Sequence, residues 1–126
     1  MDKIEAVKAC ELINYDTALE YCDNDELLLD ILSMTAGTLT DLRAEIVKGH
    51  ETLASDKSED TFKNYRIAAH SVKSTSKLIG MMKLAELGLK SEEAARACDA
   101  DTLNTEYEGL LAEIDRHVSA LETIFD

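Results

Sequence analysis

"DELLLDILSMTAGTLTDLRAEIVKG", residues 25–49, places Leu28, Leu32, Thr35, Leu39, Leu42 and Ile46 at alternating steps of four and three. That spacing is one face of a long α-helix, and a strand would demand alternation every two residues. Asp23 or Asn24 can cap its start, with Asp25 and Glu26 in the first turn, and Gly49 is the candidate left-handed C-cap. The same periodicity recurs downstream. From about Ser58 the stripe is Phe62, Tyr65, Ala69, Val72, Ser76 and Ile79, with Gly80 as its end. Leu84, Leu87, Ala94 and Ala95 mark a third helix from Met82 to about Cys98, in which Gly88 is a weak point. A last helix begins near Asp101 and carries Leu103, Tyr107, Leu110, Ile114, Val118, Leu121 and Phe125.

Ahead of these lies "EAVKACELINYDTALEYC", residues 5–22, which reads as one or two short helices covering an end of the fold. The connections "GHETLASDK" and "CDAD" are short, so neighbouring helices should run antiparallel. The expectation is all-α: an up-and-down antiparallel four-helix bundle with one or two short N-terminal helices. Composition agrees, since the chain has no proline and is rich in helix formers. At 126 residues with 45% hydrophobic content, one domain over residues 1–126 is expected, with an aliphatic core.

The net charge of −13 argues against nucleic acid or an anionic membrane as partner. Cys10, Cys22 and Cys98 have no zinc-ligand or CxxC spacing and read as reduced thiols, buried or half buried. "MDKIEAVKAC" lacks the basic start and apolar run of a signal peptide, and no stretch has the length of a membrane span. A soluble, cytoplasmic protein is expected.

One region departs from the prevailing acidity. Residues 61–85 contain five Lys or Arg and none of the 26 acidic residues, of which about five would fall there by chance. One position forward from each core residue of the second long helix lie Lys63, Arg66, His70, Lys73, Lys77 and Gly80, a stripe about 100° round from the core. It should be exposed or at the rim. A neutral imidazole is a nucleophile near physiological pH. A phosphoryl group on His70 would bring nearly two negative charges and three acceptor oxygens. Lys73 at i+3 and Ser74 at i+4 project on the same face, and Gly80 leaves room for another surface to approach. Lys63 and Arg66 are equally compatible with solvated side chains paired to acids on other helices. His50, in the loop after Gly49, and His117, beside the last core stripe, read as ordinary surface residues. Thr75 and Ser76 read as packing residues, and Met81 and Met82 as filler in the core or at its end.

"HSVKSTSKLIG", residues 70–80, resembles the signature of histidine-containing phosphotransfer domains: His70, an aliphatic Val72, Lys73 and Gly80. "YDTALEYCDNDELLLDILSMT" and "LAELGLKSEEAARACD" are similar to that family's opening segment with its first long helix, and to its helix after the histidine. The resemblance spans about residues 13–125. Ser74 stands where glycine is frequent, Lys77 where a small residue is common, and Met81 where alanine is frequent. The resemblance implies a phosphohistidine carrier in a two-component multistep phosphorelay, with His70 as phosphoacceptor and Lys73 steadying the phosphoryl group. Lys63, Arg66, Ser74, Lys77 and Gly80 would meet the partner. It implies receiver domains of response regulators or hybrid kinases as partners, a monomer, and no cofactor beyond a magnesium ion held by the receiver. No nucleotide loop is present, so the chain reads as a carrier and not an enzyme. The competing expectation is a docking-only module that binds a receiver or kinase without accepting phosphate. A di-iron bundle would need paired Glu-x-x-His motifs, which the sequence lacks.

Overall fold

The computed structural model describes residues 2–126. They form six helices and no strand: α1 (Lys3–Ala9), α2 (Tyr15–Cys22), α3 (Asp25–Leu53), α4 (Glu59–Leu78), α5 (Met82–Arg96) and α6 (Ala100–Phe125). Five begin on a side chain that accepts from a backbone N–H three residues on: Asp2, Asn14, Asn24, Ser58 and Asp99. Each supplies one of the acceptors that a helix start lacks. α5 has no such cap and follows directly from the turn at Gly80, whose φ is +74°.

The long helices bury the stripes that the periodicity marks. Leu28, Leu32, Leu39 and Ile46 of α3 meet Tyr65, Ala69 and Val72 of α4, Leu84 of α5, and Leu103, Leu110, Ile114 and Leu121 of α6 in one apolar cluster. α3 packs on α4 and α6, and α5 packs on the same two, so the four enclose this core. α3 and α6 run in opposite directions, with Arg43 ion-paired to Asp115 and His50 bonded to Asn104. α4 and α5 are likewise opposed, with Lys73 against Gly88 and His70 against Glu92. The short α1 and α2 lie against α3, α4 and α6, where Asn14 N–H donates to the Gly80 carbonyl at 2.8 Å.

Several sequence expectations fail on tertiary grounds. α3 does not stop at Gly49 but runs four residues further to Leu53. A Cβ at Gly49 would come within 2.9 Å of the Tyr65 ring, so this glycine serves packing and not capping. His50 is therefore in the last turn of α3, stacked on Tyr107 with centroids 3.6 Å apart and donating from Nε2 to Asn104 Oδ1. α5 ends at Arg96, and Cys98, expected to be at least half buried, is exposed with a φ of +53°. Cys22 is buried, Cys10 is half buried, and neither is in a disulfide. Met81 is buried, but Met82 is exposed.

His117 is the largest departure. Expected at the surface, it is fully buried, with Nδ1–H donating to the Glu113 carbonyl at 2.7 Å and, among the described residues, no partner for Nε2. Burial holds its pKa below the usual histidine value, against the opposing pull of Glu113 and with the repulsion of Arg116 and Lys83. A base whose folded pKa is lowered binds protons more readily unfolded. Its stability contribution is full above about pH 6.5 and is lost as pH falls. The urea midpoint should therefore drop between about pH 8 and pH 5.5, and His117→Gln should flatten that drop. An equal fall in the variant would assign the acid sensitivity elsewhere.

Candidate functional site

Small residues set the site's dimensions. The buried face of α5 includes Leu84, Ala85, Gly88, Ser91, Glu92 and Ala95. A Cβ at Gly88 would lie 2.8 Å from the Lys73 backbone nitrogen and 3.2 Å from the Ala69 carbonyl oxygen. The absence of a side chain lets α5 press against α4 at this level. One turn further along α5, Glu92 then falls beside the side chains of His70 and Lys73.

Glu92 is the centre of the cluster. Its carboxylate is only 4% exposed and accepts from His70 Nδ1 at 3.0 Å, Lys73 Nζ at 2.7 Å and Arg96 Nη2 at 3.3 Å. Burial alone would raise its pKa, but the hydrogen bonds and charges of Lys73 and His70 outweigh that and hold it below the usual carboxylate value. The carboxylate therefore stays ionised at neutral pH, and an ionised carboxylate can only accept. In the neutral imidazole the proton is thereby held on Nδ1. In that tautomer Nε2 has a lone pair, which takes the Ser74 hydroxyl at 3.3 Å as donor. The His70 side chain is 56% exposed, so an electrophile can replace that weak contact.

A histidine with one nitrogen tied to a buried carboxylate and the other open to solvent is a nucleophile held in one tautomer and one orientation. Bond formation at Nε2 leaves a positive charge on the ring, and Glu92 lies where that charge develops. This arrangement lowers the cost of group transfer onto the imidazole without any further base.

The other basic residues divide. Lys63 and Lys77 are exposed and Arg66 is half exposed, and among the described residues none has a carboxylate within ion-pair distance. By helical rotation they lie within about 40° of His70, so the acid-free stripe is a real surface around it. On the side turned toward α3, Ile67 and Leu78 are also exposed, about 60–80° from His70. Gly80 does not belong to this surface. It is buried, and the space that a partner would need is occupied by the Asn14 carbonyl. The sequence singled out the right feature, a glycine that permits close approach, but the approaching backbone is the chain's own.

Glu92 and Arg96 escaped the sequence reading. A signal existed: Glu92 falls on the same helical face as Leu84, Gly88 and Ala95, and a carboxylate on a buried face requires cationic partners. Its partners lie on another helix, and periodicity within α5 does not name them.

No helix among the described residues is long and apolar enough to cross a membrane. No group of three potential metal ligands occurs among them. A scan against protein-family models and searches of curated proteins and of solved structures each return no match.

Proposed function

We propose that the protein is a phosphohistidine carrier of the histidine-containing phosphotransfer type, exchanging a phosphoryl group between His70 and the aspartyl phosphate of receiver domains. The observation that carries this is the pairing of His70 Nδ1 with the buried Glu92 while Nε2 faces solvent within a stripe free of acidic residues. The four long helices then constitute an up-and-down antiparallel bundle, a rigid post for the nucleophile. We place it in the cytoplasm as a monomer.

The step balances simply. The Nε2 lone pair attacks the phosphorus of the receiver's acyl phosphate, the P–O bond to the aspartate breaks, and its electron pair leaves with the aspartate carboxylate. The ring becomes a phosphoimidazolium whose Nδ1–H remains on Glu92, so no proton need move. The reverse path returns the group to another aspartate. Magnesium belongs to the receiver, and this chain contributes positioning and charge. A receiver's active site, being a cluster of carboxylates, would be repelled by the rest of this acidic surface and drawn to the stripe. Ile67 and Leu78 offer apolar contact beside it.

The test is intact-protein mass spectrometry at neutral or alkaline pH after mixing with magnesium-loaded, phosphorylated receivers. A gain of one phosphoryl group is expected. Binding without any gain would make the protein a docking module that uses the same face.

A further inference from the structure

We propose that Arg96 is a relief cation: it takes over Glu92 so that Lys73 can leave that carboxylate and hold the phosphoryl group on His70. The proposal deepens the carrier function and rests on it.

The starting point is a conflict in the resting geometry. Lys73 Nζ lies 2.7 Å from Glu92 Oε2 and 3.2 Å from Oε1, so its charge is committed to the carboxylate at the Nδ1 edge of His70. A phosphoryl group would sit on Nε2, the opposite edge of the ring. For Lys73 to serve it, the ammonium has to swing along its flexible stem and abandon Glu92. A carboxylate that is 4% exposed cannot be stranded cheaply, because removing a partner from a buried charge leaves its desolvation uncompensated.

Arg96 answers this requirement. It follows Glu92 by one turn on α5, is 58% exposed, and touches Oε1 through a single nitrogen at 3.3 Å. Among the described residues the remainder of its planar fork has no carboxylate partner, and a guanidinium can move from one-point to two-point contact with small rotations. Among the described residues, the cationic groups at Glu92 are Lys73, Arg96 and His70 itself when protonated. Before transfer Glu92 is served mainly by Lys73. After transfer it holds the phosphoimidazolium and Arg96, while Lys73 and Ser74 face the phosphoryl oxygens. Charge is compensated in both states. Arg96 is thus a positioning residue that acts through Lys73 and does not touch the transferred group.

The experiment uses the full chain and potassium phosphoramidate, whose P–N bond breaks with loss of ammonia as the P–Nε2 bond forms. Decay of the phosphohistidine is followed by intact mass and phosphorus NMR near neutral pH. Arg96→Ala should shorten its half-life about twofold to fivefold, the upper part of the range for a part-exposed ion pair. Arg96→Lys should restore most of it. In a Lys73→Ala background, Arg96→Ala should add nothing, since the hand-over then has no cation to release. Equal half-lives for Arg96→Ala and the parent, or additive effects of the two variants, would overturn the proposal. Failure of both phosphoramidate and phosphorylated receivers to label His70 would overturn both it and the carrier function. Labelling by phosphoramidate with no uptake from receivers would sink only the phosphorelay, and leave the hand-over standing.

Discussion

His70→Gln is expected to abolish phosphoryl uptake from a receiver and to leave the helical fold intact. His70 is mostly exposed, so its replacement opens no cavity, and glutamine still carries an N–H that can reach the Glu92 carboxylate. The expected change in unfolding free energy is within about 0.5 kcal/mol, the range of surface substitutions. Uptake, by contrast, falls to background, because an amide nitrogen has no lone pair available for attack. Mass spectrometry after mixing with a phosphorylated receiver, together with urea unfolding followed by helicity, checks both halves. Continued uptake by the variant would move the acceptor elsewhere, with His50 the other histidine that reaches solvent. A large loss of stability would mean that the imidazole is a structural prop for Glu92.

Gly80→Ala should be strongly destabilising, although it adds only one methyl group. Gly80 has a φ of +74°, a region that L-residues enter at a cost, and its new Cβ would overlap the carbonyl of Asn14. Asn14 cannot simply retreat, since its own N–H is bonded to the Gly80 carbonyl and its side chain caps α2. Strain and lost packing together should cost about 2–4 kcal/mol, read as a lower urea midpoint with unchanged slope. Gly37→Ala is the control: Gly37 is exposed in the middle of α3 with nothing within 4 Å of an added Cβ. It should gain up to about 1 kcal/mol. Folded Gly80→Ala should still transfer phosphoryl, as the clash lies away from His70. Normal stability with crippled transfer would return Gly80 to the partner surface that the sequence suggested.

Helical periodicity made the core stripes of α3, α4 and α6 legible, because each is decided within one element. Leu28, Leu32, Leu39 and Ile46 are buried as their spacing demands, and Ser58 caps α4. Legibility ended where a residue's meaning depends on a second helix. Gly49 looks like a stop signal until Tyr65 is seen against it. Gly88 looks like a defect until it is seen to admit the backbone of α4. His117 sits beside a stripe in α6, but the packing of the other helices widens that stripe to include it. The same limit applies to the candidate site. His70, Lys73 and Ser74 are one turn apart on one helix and could be grouped from sequence, whereas Glu92 joins them only through the α4–α5 contact.

That contact also bears on how quickly the chain acquires its chemistry. α4 and α5 share the most extensive interface in the fold and are joined only by residues 79–81. Closing so short a connection loses little chain entropy, while closing α3 onto α6 spans most of the sequence. The helical hairpin that carries His70, Lys73 and Glu92 is therefore the natural early step in folding, with the α3–α6 seam sealing later. Mutations at the hairpin, Gly88→Ala among them, should slow folding, and those at the Arg43–Asp115 seam should chiefly speed unfolding.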